Sequence, residues 1–278
     1  MEMIYGFLES LPFSMFQYDF MKNAFLATLL IAPLFALLGT MAVNNKMAFF
    51  SDALGHSAFT GVGLGVLLGL QNPLVSMVCF GILLGLMITK VKGANMASSD
   101  TIIGVFASAA MALGIVILSG NGGFSKYSAY LVGDILTIQR QDLVVLTIVL
   151  VVVYVIWALL YNQILLLSIN RSLAASRGVH VVLLENIFVV MVAVSVMVAV
   201  RAIGILMINA LLILPAAAAR NITNTARSYH FVTTGIGLFS ALCGLVLSYY
   251  QDTSAGATMV LTAAAVFAVT YFIGKRQK

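Results

Sequence analysis

The sequence predicts an all-α protein, a polytopic transmembrane helical bundle of about nine spans with a range of about eight to ten, set by the number of ~20-residue apolar stretches. Three observations carry this. The chain of 278 residues is 62% hydrophobic and 8% charged, against roughly 45–50% and 25% in soluble domains. Its mean hydropathy of +1.09 means more apolar surface than one globular core can hide, so much of it must face lipid or other helices. The apolar residues also fall in repeated stretches long enough to cross a bilayer. Soluble enzymes, nucleic-acid binders and disordered regulators are excluded. The net charge of +5 comes from basic residues scattered along the chain, without the block that marks a nucleic-acid arm.

The spans fall at 20–43, 47–70, 73–91, 101–119, 143–167, 180–200, 203–219, 231–250 and 256–274. Gln71-Asn72-Pro73 and Arg201-Ala202-Ile203-Gly204 are short turns, so two pairs of spans form tight helical hairpins. In the second span Gly61, Gly65 and Gly69 recur every fourth residue and line one face, where another helix should press. Residues 120–142 differ. They open with Gly120-Asn121-Gly122-Gly123 and run through an amphipathic stretch from Tyr127 to Ile138, too short to cross and read as a surface or re-entrant helix. The seventh span contains Pro215, which removes a backbone donor and should kink the helix beside a pore; Asn209 either lines that pore or bonds to another helix. No internal repeat divides the chain, which reads as a single transmembrane domain over 1–278.

Basic residues orient the bundle, because cytoplasmic loops hold their excess. With the amino terminus outside and the carboxyl terminus cytoplasmic, Lys46, Lys90, Lys92, Arg171, Arg177, Arg220, Arg227, Lys275, Arg276 and Lys278 lie inside, ten of the fourteen. Lys22, Lys126, Arg140 and Arg201 lie outside with most of the acids. Glu2, Glu9 and Asp19 at the start argue against a cleavable secretory signal. Cys79 and Cys243 sit in apolar runs and read as small hydrophobes.

Ionisable residues inside a membrane are expensive and point to function. The clearest are Asp52 and His56, at i and i+4 on one helical face in Phe50-Ser51-Asp52-Ala53-Leu54-Gly55-His56-Ser57. A carboxylate and an imidazole on adjacent turns can address one cation, and zinc, manganese and iron accept that mixture. Two ligands do not close a site; the spacing equally fits Asp52 satisfying the helix start with His56 bonded to it. A symmetric dimer would gather two of each. Elsewhere Asp100 reads as a helix-start residue, Glu185 as a partner of Arg171 or Arg177, and Asp252 as a cap of the last helix. His180 and His230 read as interfacial residues at helix ends. Ser168 to Val179 reads as a short amphipathic helix closed by Gly178, which either docks a cytosolic partner or merely connects two spans. No G-x-x-x-x-G-K-[ST] loop or hydrolase signature occurs, so any driving energy comes from another chain or an ion gradient.

Three segments together resemble the membrane permeases of ATP-binding-cassette importers for zinc, manganese and iron: Ser51-Asp52-Ala53-Leu54-Gly55-His56 with its glycines, Leu173-Ala174 through Gly178-Val179, and Val200 through Arg220 around Ala210-Leu211-Leu212-Ile213-Leu214-Pro215-Ala216-Ala217. The tail Tyr249-Tyr250-Gln251-Asp252, with Gly256 and Val260-Leu261, is similar too. The resemblance implies a BtuC-like type II importer permease fold in the bacterial plasma (inner) membrane, acting as a transport subunit and not as an enzyme. It implies a second copy of the chain, a cytoplasmic ATP-binding-cassette ATPase and an extracytoplasmic metal-binding protein, with no nucleic acid. It puts Asp52 and His56 on the translocation path and makes Asn170, Arg171, Leu173, Ala174, Arg177 and Gly178 the ATPase coupling segment. Asn170-Arg171 stands where the family often has Asp-Pro or Ser-Pro, and Ser254 where it often has Pro. No cofactor is permanently bound; the metal is cargo, with zinc favoured over manganese or iron. Two other functions are kept open: a permease for a metal chelate such as a siderophore or cobalamin, and an ion-gradient-driven secondary metal carrier.

Overall fold

The computed structural model describes residues 2–10, 12–45, 47–93, 97–120 and 133–276. Among them every regular element is helical. In chain order these are α1 (Glu2–Glu9), a 3-10 turn at Ser14–Gln17, α2 (Asp19–Asn44), α3 (Phe50–Leu67), α4 (Leu74–Gly93) and α5 (Ser99–Gly120). A second 3-10 turn at Ile135–Thr137 precedes α6 (Arg140–Ile169), α7 (Arg171–Ser176), α8 (Val181–Ile222), α9 (Ala226–Gln251) and α10 (Ala255–Arg276). Most of the expected amphipathic stretch from Tyr127 lies outside the described residues. Its end does not form a continuing helix: Asp134 accepts a hydrogen bond from the Leu136 amide at 2.9 Å, and Ile135 and Ile138 are buried against the core.

Among the described residues seven helical stretches are long and apolar enough to cross a membrane: α2, α4, α5, α6, Val181–Ile205 of α8, α9 and Ala255–Lys275 of α10. The expected count of about nine crossings is therefore not reproduced, although helix occupies each expected region. Two regions account for the difference. Met207–Ile222 is shorter than a full crossing, and α3 carries Asp52, His56 and four glycines in 18 residues. A helix of that composition suits a protein interior better than lipid, and α3 is indeed packed between α4, α5 and α8.

Helix ends follow local chemistry. Gly69, at φ +69°, closes α3 in a Schellman arrangement, with the Leu70 amide bonded to the Gly65 carbonyl at 2.9 Å and the Gly69 amide to that of Val66 at 3.0 Å. Gly69 thus does not extend the expected glycine face. Gly61 and Gly65 do press on α4: a Cβ on Gly61 would stand 2.5 Å from the Met77 Cα, and the Ser76 hydroxyl donates to the Gly61 carbonyl at 2.7 Å. Close backbone approach of this kind depends on small residues. Replacing Gly61 by Leu should force the two helices apart, and the expected result is a lower unfolding temperature in detergent, corresponding to about 1–3 kcal/mol of overpacking. An unchanged melting curve would contradict the contact.

The amino-terminal helix α1 is fastened to the bundle by charge. Lys22 is 2% exposed and its ammonium pairs with Glu9 and with Asp19, the latter at 2.9 Å. Tyr5 bonds to Asn23, whose amide nitrogen donates to the Ile138 carbonyl at 3.0 Å, while Arg140 stacks over the Tyr5 ring. Lys22 is thus a buried cation with two acidic partners, not a loop charge.

The long run α8 is broken once, at Gly204, whose φ of 75° and ψ of 168° are non-helical. The expected hairpin at 201–204 takes this form. The expected kink at Pro215 does not: helical backbone continues through it, and Pro215 is buried near Gly237 of α9. Asp252 caps the end of α9 in a left-handed conformation, φ 49°, instead of opening α10. His230 is buried, bonded through Nδ1 to the Thr40 hydroxyl at 2.9 Å and flanked by Trp157 and Tyr161, which corrects its interfacial assignment. His180 is exposed at the start of α8.

Candidate functional site

From Phe50 to Gly63, α3 is buried at every position except Asp52 and His56. Their side chains are 41% and 30% exposed, so the only open edge of this stretch is its polar one. The helical spacing brings His56 Nε2 to 3.4 Å from Asp52 Oδ1. Asp52 does not cap the helix, since α3 begins after Phe49 without a side-chain cap. Its place in the first turn still lets the carboxylate complement the helix dipole.

A third residue reaches it from α8. Asn209 donates through Nδ2 to Asp52 Oδ1 at 2.5 Å and accepts at Oδ1 from the Ser51 hydroxyl at 2.7 Å. Ser51 is fully buried, so it fixes the amide orientation and leaves only the donor end of Asn209 facing the carboxylate. Asn209 accordingly bonds to another helix, with its acceptor already used. The helical segment after the break at Gly204 makes this reach: Ile205 covers Gly55, where a Cβ would come within 2.8 Å of its Cγ2.

The arrangement presents one carboxylate and one imidazole on a single open edge. Asp52 retains a second oxygen, while His56 Nδ1 is buried with no hydrogen-bond partner among the described residues, a cost that a ligand relieves. No cluster of three or more His, Cys, Asp or Glu side chains occurs among the described residues. One chain thus offers one carboxylate and one imidazole. Cys79 and Cys243 are free thiols away from the pair.

The second expected functional segment forms α7. Asn170 caps it, accepting from the Leu173 amide at 3.0 Å, and Gly178 at φ +77° closes it, with the Val179 amide bonded to the Ala174 carbonyl at 3.1 Å. Asn170 therefore serves as the N-cap at the position where its resemblance departs from the usual Asp-Pro or Ser-Pro. Ala174 is fully buried and anchors the helix, whereas Arg171, Leu173 and Arg177 are exposed. Arg171 Nη2 bonds to Glu185 Oε2 at 3.1 Å, tying α7 to the first turns of α8.

The helices long and apolar enough to cross a bilayer define a multi-pass membrane protein, in which the polar edge of α3 is reached by the broken helix α8. The ABC 3 transport family model matches residues 17–274, and the chain belongs to that family. It is 30% identical over 276 residues to the manganese import system permease protein ScaB of Streptococcus parasanguinis, covering 99% of this chain and 97% of that protein. It is also 30% identical over 263 residues to the high-affinity zinc uptake system membrane protein ZnuB of Haemophilus influenzae, covering 94% and 99%. The solved structure of PsaBC from Streptococcus pneumoniae in complex with Fab matches at a TM-score of 0.81 with 28% identity, covering 92% of each chain. The chain is thus a multi-pass membrane permease subunit of the zinc and manganese ATP-binding-cassette importer family, a transport component and not an enzyme.

Proposed function

We propose that this chain carries a bare divalent transition metal ion, zinc or manganese, across the bacterial inner membrane into the cytoplasm, past Asp52 and His56. The observation that supports this best is the exposure pattern of α3, where the carboxylate and imidazole alone escape burial between Phe50 and Gly63. A bulky chelate needs a wide pore without ligating side chains, which this edge does not offer. Two copies related by a twofold axis would supply two carboxylates and two imidazoles, enough to replace part of a hydration shell and still release the ion. The metal is cargo, and no resident cofactor is required.

Energy enters through α7. Its exposed Arg171, Leu173 and Arg177 form the surface for an ATP-binding-cassette ATPase, and the Arg171–Glu185 bond passes motion of α7 to α8, which also carries Asn209. With α7 cytoplasmic, the opposite end receives the ion from an extracytoplasmic metal-binding protein, the amino terminus is outside and the carboxyl terminus is inside. Oxygen and nitrogen donors without thiolate accept zinc or manganese alike.

The test is uptake into proteoliposomes holding this chain with its ATPase and binding protein. Radioactive zinc and manganese are expected to accumulate only with ATP on the ATPase side, and mutual competition ranks the two. Uptake that follows a proton gradient and ignores ATP would make the chain a secondary carrier.

A further inference from the structure

The geometry points to a phosphate-anion site in the cavity of about 250 Å³ at the α7 end of the bundle, bounded by Asn45, Thr89, Lys92, Ser99, Arg171 and Glu185 among its lining residues. The site is separate from Asp52 and His56, neither of which lines this cavity, and its argument does not depend on what the permease transports.

Three features converge. Lys92, in the last turn of α4, is half-buried and forms no ion pair among the described residues; its ammonium has one long hydrogen bond, 3.4 Å to the Asn45 carbonyl. A sequestered ammonium has three donors, and most of this one's capacity is unspent. Arg171 uses Nη2 on Glu185, which leaves further donors of its planar fork, the geometry that suits phosphate oxygens. Ser99 opens the 22-residue helix α5, whose positive end adds to the field at the same cavity.

Within the wall itself the charge balance favours an anion. Among the described lining residues Lys92 and Arg171 are the cations and Glu185 the only carboxylate, already bonded to Arg171. Asp100, in the first turn of α5, is not part of the wall, but its carboxylate acts on Lys92 from behind it and offsets part of the field of the α5 end. The volume far exceeds the ~15 Å³ that one water needs, so a tetrahedral phosphate group fits with hydration. The last turn of a membrane-crossing helix is also where lysines meet headgroups. A phosphate held jointly by Lys92 and Arg171 would join α4 to α7 and compete with Glu185 for the guanidinium, making the hold on α7 sensitive to the anion.

The same chemistry is offered by an anionic phospholipid and by free inorganic phosphate. Native mass spectrometry of the full, delipidated chain in detergent separates them, with phosphatidylglycerol, phosphatidylcholine and inorganic phosphate as probes. Phosphatidylglycerol is expected to bind at least threefold more tightly than phosphatidylcholine, with the preference lost in Lys92→Gln, kept in Lys92→Arg and unaffected by Lys90→Gln. Inorganic phosphate binding with the same dependence on position 92 would assign the site to a soluble anion and equally support it. No preference for either anion, or a preference that survives Lys92→Gln in a protein of unchanged melting temperature, would overturn the proposal. If Lys92→Gln melts early, Lys92→Arg with undiminished binding and phosphatidylglycerol protection of wild-type melting are the supporting results, and absence of both overturns it.

Discussion

Replacing Asp52 by Asn is expected to cut metal uptake by about a hundredfold or more, since even residues that only orient a metal's ligands are worth about 10–100-fold. The substitution is chosen for its shape. The new amide oxygen still accepts from Asn209 Nδ2, which now lies 2.5 Å from the carboxylate, and Ser51 still holds Asn209 from the other side. The α3–α8 contact is retained and only the negative charge is lost. His56→Gln removes the ring nitrogen while keeping a polar side chain on the open edge, and the same loss is expected. In both variants assembly with the ATPase and basal ATP hydrolysis should persist, because α7 is distant in sequence and its caps are untouched. The measurement is zinc and manganese uptake per milligram of reconstituted complex. Uptake at wild-type level in both variants would remove the pair from the path and restore the chelate reading, in which the edge of α3 is only a wall.

That pair was legible because its signal is local. An i, i+4 acid and histidine in an apolar run need only helical geometry to meet, and they meet at 3.4 Å. The end of α7 was legible for the same reason, since Gly178 acts within a few residues of itself; its start was not, for the expected helix opened at Ser168 and Asn170 is the cap. Contacts across the bundle were not. Asn209 stood out as a polar residue in an apolar span, yet nothing in the sequence ties it to Ser51, 158 positions away. The burial of Lys22 and His230 depends on Glu9, Asp19 and Thr40 arriving from other turns or helices, so the helix-end position of His230 alone misplaced it as interfacial and the position of Lys22 did not reveal its partners. Hydropathy also counted more crossings than the seven long apolar helices among the described residues. It reads α3 as lipid-soluble because alanine, glycine and phenylalanine count as apolar, whereas its Ser, Thr and Gly residues are there to let α4 and α5 approach. A proline is the stronger sequence signal for a kink, but Pro215 keeps helical backbone while Gly204 does not; the break follows backbone freedom and not the missing donor.

Gly204→Ala should separate fold from function at that break. A φ of 75° with ψ of 168° lies in a region that essentially only glycine occupies, and a side chain there costs about 1–3 kcal/mol. The neighbouring chain leaves little room for adjustment, because Gly133, itself at φ +61°, packs its backbone on Gly204 and Ile203. Alanine relieves the strain by moving toward helical angles, which rotates the residues that follow. Ile205 then leaves Gly55, and Asn209, one turn further, leaves Asp52. The expected outcome is a lower unfolding temperature together with at least a tenfold loss of metal uptake, although Asp52 and His56 are both intact. Gly235→Ala in α9 is the matched control: nothing lies within 4 Å of a Cβ there, and a helical Gly-to-Ala change at an unstrained site stabilises by about 0.4–1 kcal/mol. Its uptake should stay at wild-type level. A Gly204→Ala protein with unaltered melting and full uptake would show that the break is incidental and that Asn209 reaches Asp52 without it. Loss of uptake with melting unchanged would place the effect in the α8 hinge itself, because the strain would then have been released by the very rotation that carries Asn209 away from the carboxylate.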